Sequence, residues 1–223
     1  MTKATRSRGM PRRKSQTASQ SNRTRWVLIA GAIGVVAVAA VVAIVLSLGS
    51  STGPPEPAAD PIVVTGEPLP ALPLEGPDPA IGMTLPGLAG IGLGGEPMVI
   101  GPAGGAQMVV VLAHWCPHCQ RELPMLVDMI DSGDVPEGLS VVGMSTAIDE
   151  LRGNYPPSAW FEREGWQQPT LIDDANSDGL QALGLPSFPG FVFVDAQGRV
   201  TQRMRGEVDR ATLIQAMDVA AQG

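Results

Sequence analysis

The chain's two cysteines stand together in Cys116-Pro117-His118-Cys119, directly after the apolar run Met108-Val109-Val110-Val111-Leu112-Ala113. A buried strand that delivers a C-x-x-C to the start of a helix constrains the fold tightly, because both sulfurs must sit at one strand–helix turn. A helix N-terminus offers unpaired N–H groups and partial positive charge to a thiolate placed there. The first cysteine is thereby favoured as the attacking sulfur, and the second closes a short-loop disulfide. With 2 cysteines in the whole chain, neither can belong to a separate structural bridge. The chemistry indicated is thiol–disulfide exchange through a redox-active Cys116–Cys119 pair, with no further cofactor and no metal.

Metal binding is the competing reading of the same residues. A closed zinc site takes four ligands, usually from two separated pairs. Here Cys116, Cys119, His114 and His118 are the soft-ligand candidates, and all crowd into one turn. They could not close a tetrahedron without distorting it. A looser copper site of two sulfurs and one imidazole is the alternative that survives, which would make the chain a copper-binding or copper-delivery protein.

The chain divides by composition. Residues 1–25 carry Lys3, Arg6, Arg8, Arg12, Arg13, Lys14, Arg23 and Arg25 and no acid. Trp26 to Leu48 is apolar, interrupted mildly by Gly31, Gly34 and Ser47, and about 20 such residues span a bilayer as a helix. All 22 acidic residues lie beyond it, and the next basic residue is Arg121. This one-sided charge predicts a cytoplasmic tail over 1–25, a single transmembrane helix over 26–48 and an extracytoplasmic remainder. A cleavable signal peptide is the rival, with Ser47-Leu48-Gly49 as its cleavage-like triplet, but its apolar core would be only about 7–15 residues long. The acidic outer part would repel nucleic acid, and the basic tail reads as a topology signal beside anionic lipid.

Residues 49–79, with Pro54, Pro55, Pro57, Pro61, Pro68, Pro70, Pro73, Pro77 and Pro79, lack an amphipathic period and read as a semi-extended linker. Residues 80–223 then form one domain. Strands are expected at 98–101, 107–113, 139–145, 170–172, 191–194 and 199–204. Helices are expected at 116–131, kinked at Pro124, at 176–183, ended by Gly184, and at 209–221, with a helical turn or two within 155–166. Strands alternating with helices, then a hairpin and a last helix, predict an α/β domain with a mixed sheet. The glycine-rich stretch Gly90 to Gly95 lacks the strand–helix setting of a phosphate loop.

The stretch His114-Trp115-Cys116-Pro117-His118-Cys119-Gln120-Arg121-Glu122-Leu123-Pro124 resembles the active site of thioredoxin-fold oxidoreductases, and most of all their membrane-anchored TlpA-like branch. A second stretch, Gly184-Leu185-Pro186-Ser187-Phe188-Pro189-Gly190-Phe191, sits where that family places its cis-proline loop. The resemblance spans about 80–223 and implies a thioredoxin-like sheet flanked by helices. It implies Pro189 as a cis-proline, Phe188 as the residue whose backbone pairs with substrate, and Glu122 as an acid that exchanges a proton with Cys119. Members of the cytoplasmic type carry a buried aspartate where Val110 stands here, which leaves Glu122 as the proton relay. The Pro117-His118 dipeptide is that of the strongly oxidising DsbA type, and a donor or positive charge beside Cys116 would stabilise its thiolate. Trp115 would form part of an apolar rim for the substrate. His114 reads as a packing or hydrogen-bonding residue, and Trp160, Phe161 and Trp166 as core or lid aromatics. The partners implied are protein thiols or disulfides outside the cytoplasm and a separate redox protein that resets the dithiol.

Overall fold

The structure, a computed structural model, describes residues 61–223. The expected tail over 1–25, the transmembrane helix over 26–48 and the first part of the linker lie outside the described residues. Among those described, no helix is long and apolar enough to cross a membrane.

The central sheet has five strands. In chain order they are β4 (Gln107–Leu112), β5 (Ser140–Ser145), β6 (Thr170–Ile172), β7 (Gly190–Val194) and β8 (Val200–Arg205), arranged β6-β5-β4-β7-β8. β4, β5 and β6 run parallel, with Val110 opposite Gly143. β7 is antiparallel to β4, with Val110 opposite Phe191, and β8 returns antiparallel to β7. Helix α1 (Pro117–Asp131) follows β4 and continues through Pro124. Helices α2 (Pro157–Arg163), α3 (Asp178–Ala182) and α4 (Arg210–Gln222) complete the layers. The Asp209 carboxylate caps α4 by accepting the Thr212 N–H at 3.0 Å.

β4 is apolar without alternation because both of its faces are covered. Met108, Val110 and Leu112 pack with Leu123, Leu126 and Met129 of α1 and with Leu213 and Met217 of α4. Trp160, Phe161 and Trp166 join the same cluster as core residues. Val109 and Val111 face the other way, into a cluster with Val192, Val194, Leu171, Leu85, Leu88 and Ile100.

That second face is covered by the strand expected at 98–101 together with elements the composition conceals. A three-stranded antiparallel sheet, β1 (Val63–Thr65), β2 (Gly87–Ile91) and β3 (Pro97–Ile100), lies there. The glycine-rich stretch is the end of β2 and its turn. The linker expected over 49–79 is therefore corrected: from Ile62 onward it is part of the domain. Ile62, Leu69 and Ala80 are buried, and the Leu69 and Leu72 N–H groups bond to the carbonyls of Ala182 and Gly184 at 2.9 and 2.8 Å. Asp78 takes the Arg203 guanidinium at two positions, Nη2 to Oδ1 at 2.5 Å and Nε to Oδ2 at 2.9 Å. Arg203 also donates to the Leu183 carbonyl at 2.8 Å, and its side chain is fully buried. Burial alone would raise the Asp78 carboxyl, but the Arg203 hydrogen bond and charge, with the Ala80 N–H, hold it below the usual range. Proline suits an extended strap as well as a free spacer, since it fixes φ and lacks a donor. Gly184 shows how close the strap lies: its φ is +62°, and a Cβ there would meet the Pro70 carbonyl oxygen at 2.4 Å. Only glycine allows that turn beside that backbone.

Candidate active site

Cys116 is the N-cap of α1 and Pro117 its first residue, so β4 and the turn that follows place the dithiol at the helix start. Proline there sacrifices a donor that would have no helical partner anyway. Both cysteines are free and buried. The Cys116 thiol points to the Phe188 carbonyl at 3.8 Å, and the Phe188–Pro189 peptide is cis. The two stretches singled out by the sequence are thus brought face to face. Trp115 packs edge-on against Phe188 with ring centroids 5.5 Å apart, forming one apolar rim beside the sulfur.

Cys119 lies deeper and accepts the Ala113 N–H at 3.4 Å. Burial pushes its thiol well above the ordinary value, against the Ala113 N–H, and the charges of Cys116 and Glu122 push the same way. Glu122 is not an exposed helix acid: it is 3 % exposed. Its Oε1 accepts the Val208 N–H at 3.2 Å. Burial raises its carboxyl to about 7, opposed by that N–H and assisted by the Glu207 charge. Val110 is buried within β4 and offers no ionisable group, so Glu122 brings the carboxylate from α1 instead.

His114 is fully buried. Its Nδ1 faces the Gly153 carbonyl at 2.9 Å, and its Nε2 faces the Asp149 N–H at 3.2 Å. A carbonyl can only accept and an N–H only donate, so Nδ1 carries the proton and Nε2 accepts. With both ring nitrogens engaged, His114 fixes the loop after β5 over the site rather than offering a lone pair to a metal. That loop also takes the Trp115 Nε1–H on the Ala147 carbonyl at 2.7 Å and sets the Arg152 guanidinium 4.0 Å over the Trp115 ring. Among the described residues no group of three or more His, Cys, Asp or Glu is assembled to hold a metal ion.

His118 is exposed, and its Nδ1 lies 2.5 Å from Glu207 Oε1. Arg121 joins the pair, with Nη2 2.5 Å from the same oxygen and 2.9 Å from His118 Nδ1. These hydrogen bonds, Arg121's first, hold the Glu207 carboxyl down at about 2. The sequence did not single out Arg121, Glu207, the loop 147–155 or the second cis peptide, Tyr155–Pro156. Glu207 stands 89 positions from His118, and no local pattern marks so distant a partner.

The redoxin family model matches residues 82–219. No curated protein matches the chain. Among solved structures, StoA from Bacillus subtilis is 16 % identical, covering 62 % of this chain and 98 % of that one at a TM-score of 0.50. The thioredoxin domain of a thiol-disulfide oxidoreductase from Bacteroides vulgatus is 20 % identical, covering 62 % and 96 % at 0.50. A putative thiol:disulfide interchange protein DsbE from Chlorobium tepidum is 19 % identical, covering 63 % and 96 % at 0.51. At these identities the likeness is one of fold, the thioredoxin-like fold expected from the sequence.

Proposed function

We propose, from the premise that this chain belongs to the redoxin family, that it is a membrane-anchored, TlpA-like enzyme exchanging disulfides with protein partners outside the cytoplasm. The chain is a thiol–disulfide oxidoreductase of thioredoxin fold. One observation carries the reading of its site: a dithiol at a helix N-terminus whose outer sulfur faces the carbonyl of the residue before a cis-proline. Cys116 attacks a substrate disulfide, or is attacked in the reverse direction. The backbone of Phe188 pairs with the substrate chain, and Trp115 and Phe188 cover its apolar side. Cys119 then attacks Cys116 within the mixed disulfide and must lose its proton as it does so. A buried carboxyl near neutrality is matched to accept that proton, which is the role given to Glu122. No cofactor is needed for this exchange, but a separate thiol or disulfide partner must reset the dithiol. The membrane anchor and outward orientation rest on the charge and hydropathy of residues 1–48.

The copper reading loses support from the engagement of both His114 ring nitrogens and from the pairing of His118 with Glu207. The decisive experiment is trapping. Cys119→Ser should accumulate mixed disulfides through Cys116, and Cys116→Ser should trap almost none, read on non-reducing gels. Reversed trapping would refute the assigned nucleophile.

A further inference from the structure

The segment Gly206-Glu207-Val208, between β8 and α4, bonds to the cis-proline, to Glu122 and to the start of α1. The Gly206 N–H donates to the Pro189 carbonyl at 2.8 Å. The Val208 N–H donates to Glu122 at 3.2 Å. Between them the Glu207 carboxylate engages Arg121 and His118 near the start of α1. Arg121 reaches it through Nη2 at 2.5 Å and through Nε at 3.1 and 3.2 Å, and His118 through Nδ1 at 2.5 Å.

We propose that Glu207 is a positioning residue that sets the redox potential: it engages Arg121 and His118 and so withholds the Arg121 charge and the His118 ring nitrogen from the Cys116 thiolate. This rests on the reading of Cys116 as the exchanging sulfur. Arg121 is near enough for its charge and that of the Cys116 thiolate to interact. A cation free to face that thiolate stabilises the reduced form and makes the disulfide the stronger oxidant. A cation already neutralised by a carboxylate does so far less. His118 Nδ1 lies within hydrogen-bond distance of both the Glu207 carboxylate and the Arg121 guanidinium, so that nitrogen is engaged in this cluster. The Pro-His dipeptide is therefore not evidence for a strongly oxidising couple in this chain, because Glu207 offsets it.

The test is an equilibrium titration of the full-length protein in detergent micelles against glutathione. In it the dithiol gives two electrons and two protons to glutathione disulfide, which becomes two glutathione thiols. Glu207→Gln should lower the equilibrium constant for oxidation of the dithiol three- to tenfold, a potential about 14–30 mV less negative. Glu207→Asp, which keeps the charge, should stay within about twofold of wild type. In a His118→Ala, Arg121→Gln background the same Glu207→Gln change should shift the constant less than about twofold. The backbone bonds of Gly206 and Val208 survive these substitutions, so a merely structural Glu207 would leave the potential unmoved. An unchanged or more negative potential in Glu207→Gln overturns the proposal, and so does an equal shift in the background lacking the His118 and Arg121 side chains. A wild-type protein that forms no Cys116–Cys119 disulfide in glutathione buffers sinks the exchange reading and this proposal together. Normal wild-type titration with an inert Glu207 sinks this proposal alone.

Discussion

At the scale of single residues, Glu122 concentrates the physics of the site. It is nearly fully buried and its carboxyl is raised to about 7, chiefly by burial. The folded state therefore binds its proton more tightly than the unfolded chain. The sign follows: stability is fully present below the unfolded value of about 4.3 and is lost as pH rises through about 7. The whole effect is at most about 4 kcal/mol. Urea unfolding of wild type and Glu122→Gln at pH 5 and pH 8 should show wild type losing about 2–3 kcal/mol relative to the variant. Equal pH dependence in the two proteins would mean Glu122 ionises as an exposed acid does. Resolution of mixed disulfides should also slow in Glu122→Gln above neutrality, where the wild-type carboxylate is available to take the Cys119 proton. Cys116, Cys119, Glu122 and Pro189 were legible because each belongs to a short contiguous motif. Glu207 was not, because an acid before a helix has many ordinary roles and its partners are distant in sequence.

Among the elements, the strands and helices that carry the dithiol follow from periodicity, and the proline-rich strap does not. β6 occupies the expected residues 170–172, and α1 begins one residue after the expected start. Composition misplaced 61–79 because the apolar side chains the strap packs against the core, Ile62, Leu69 and Leu72, are irregularly spaced, and backbone bonds and one ion pair, which leave no hydrophobic period, do the rest. β2 escaped notice for a related reason: Gly87-Leu88-Ala89-Gly90-Ile91 has few β-branched residues, and its place is secured by pairing with both β1 and β3. The Asp78–Arg203 pair is the strap's test. Removing one partner of a buried pair leaves an uncompensated charge and costs about 3–5 kcal/mol. Asp78→Asn should thus lower the stability measured in urea by about 3 kcal/mol and reduce protection of the Leu69 and Leu72 amides from hydrogen exchange. Because the Asp78 carboxyl is held below its ordinary value, its contribution is present above about pH 4 and disappears as pH falls further. A loss under about 0.5 kcal/mol would show that the pair does not hold the strap.

For the whole molecule, the decisive constraint is that β4 is buried on both faces, which requires two separate sets of covering elements. The sequence showed one set plainly, α1 and α4, whose apolar positions recur at helical spacing. Of the other it showed the strand at 98–101, found as β3, and the helix at 176–183, found as α3, while β1, β2 and the strap were legible only as the demand of a strand with no polar side. The remaining whole-molecule property is orientation relative to a membrane, and there the sequence speaks through charge. Eight basic residues precede Trp26 and no acid does, while all 22 acids follow Leu48. Moving such a tail across the bilayer is disfavoured by the positive-inside bias, and leaving the acidic domain outside is not. A periplasm-type or extracellular compartment is also where a dithiol of this kind meets protein disulfides in quantity. A phosphatase that is active only outside the cytoplasm, fused after Gly223, should therefore be active, and the intact chain should remain in the membrane fraction through a high-salt wash. Inactivity of the fusion would overturn the outward orientation. Release of a soluble form beginning near Ser50 would instead show that the apolar run is cleaved, leaving the outward location standing and removing the anchor.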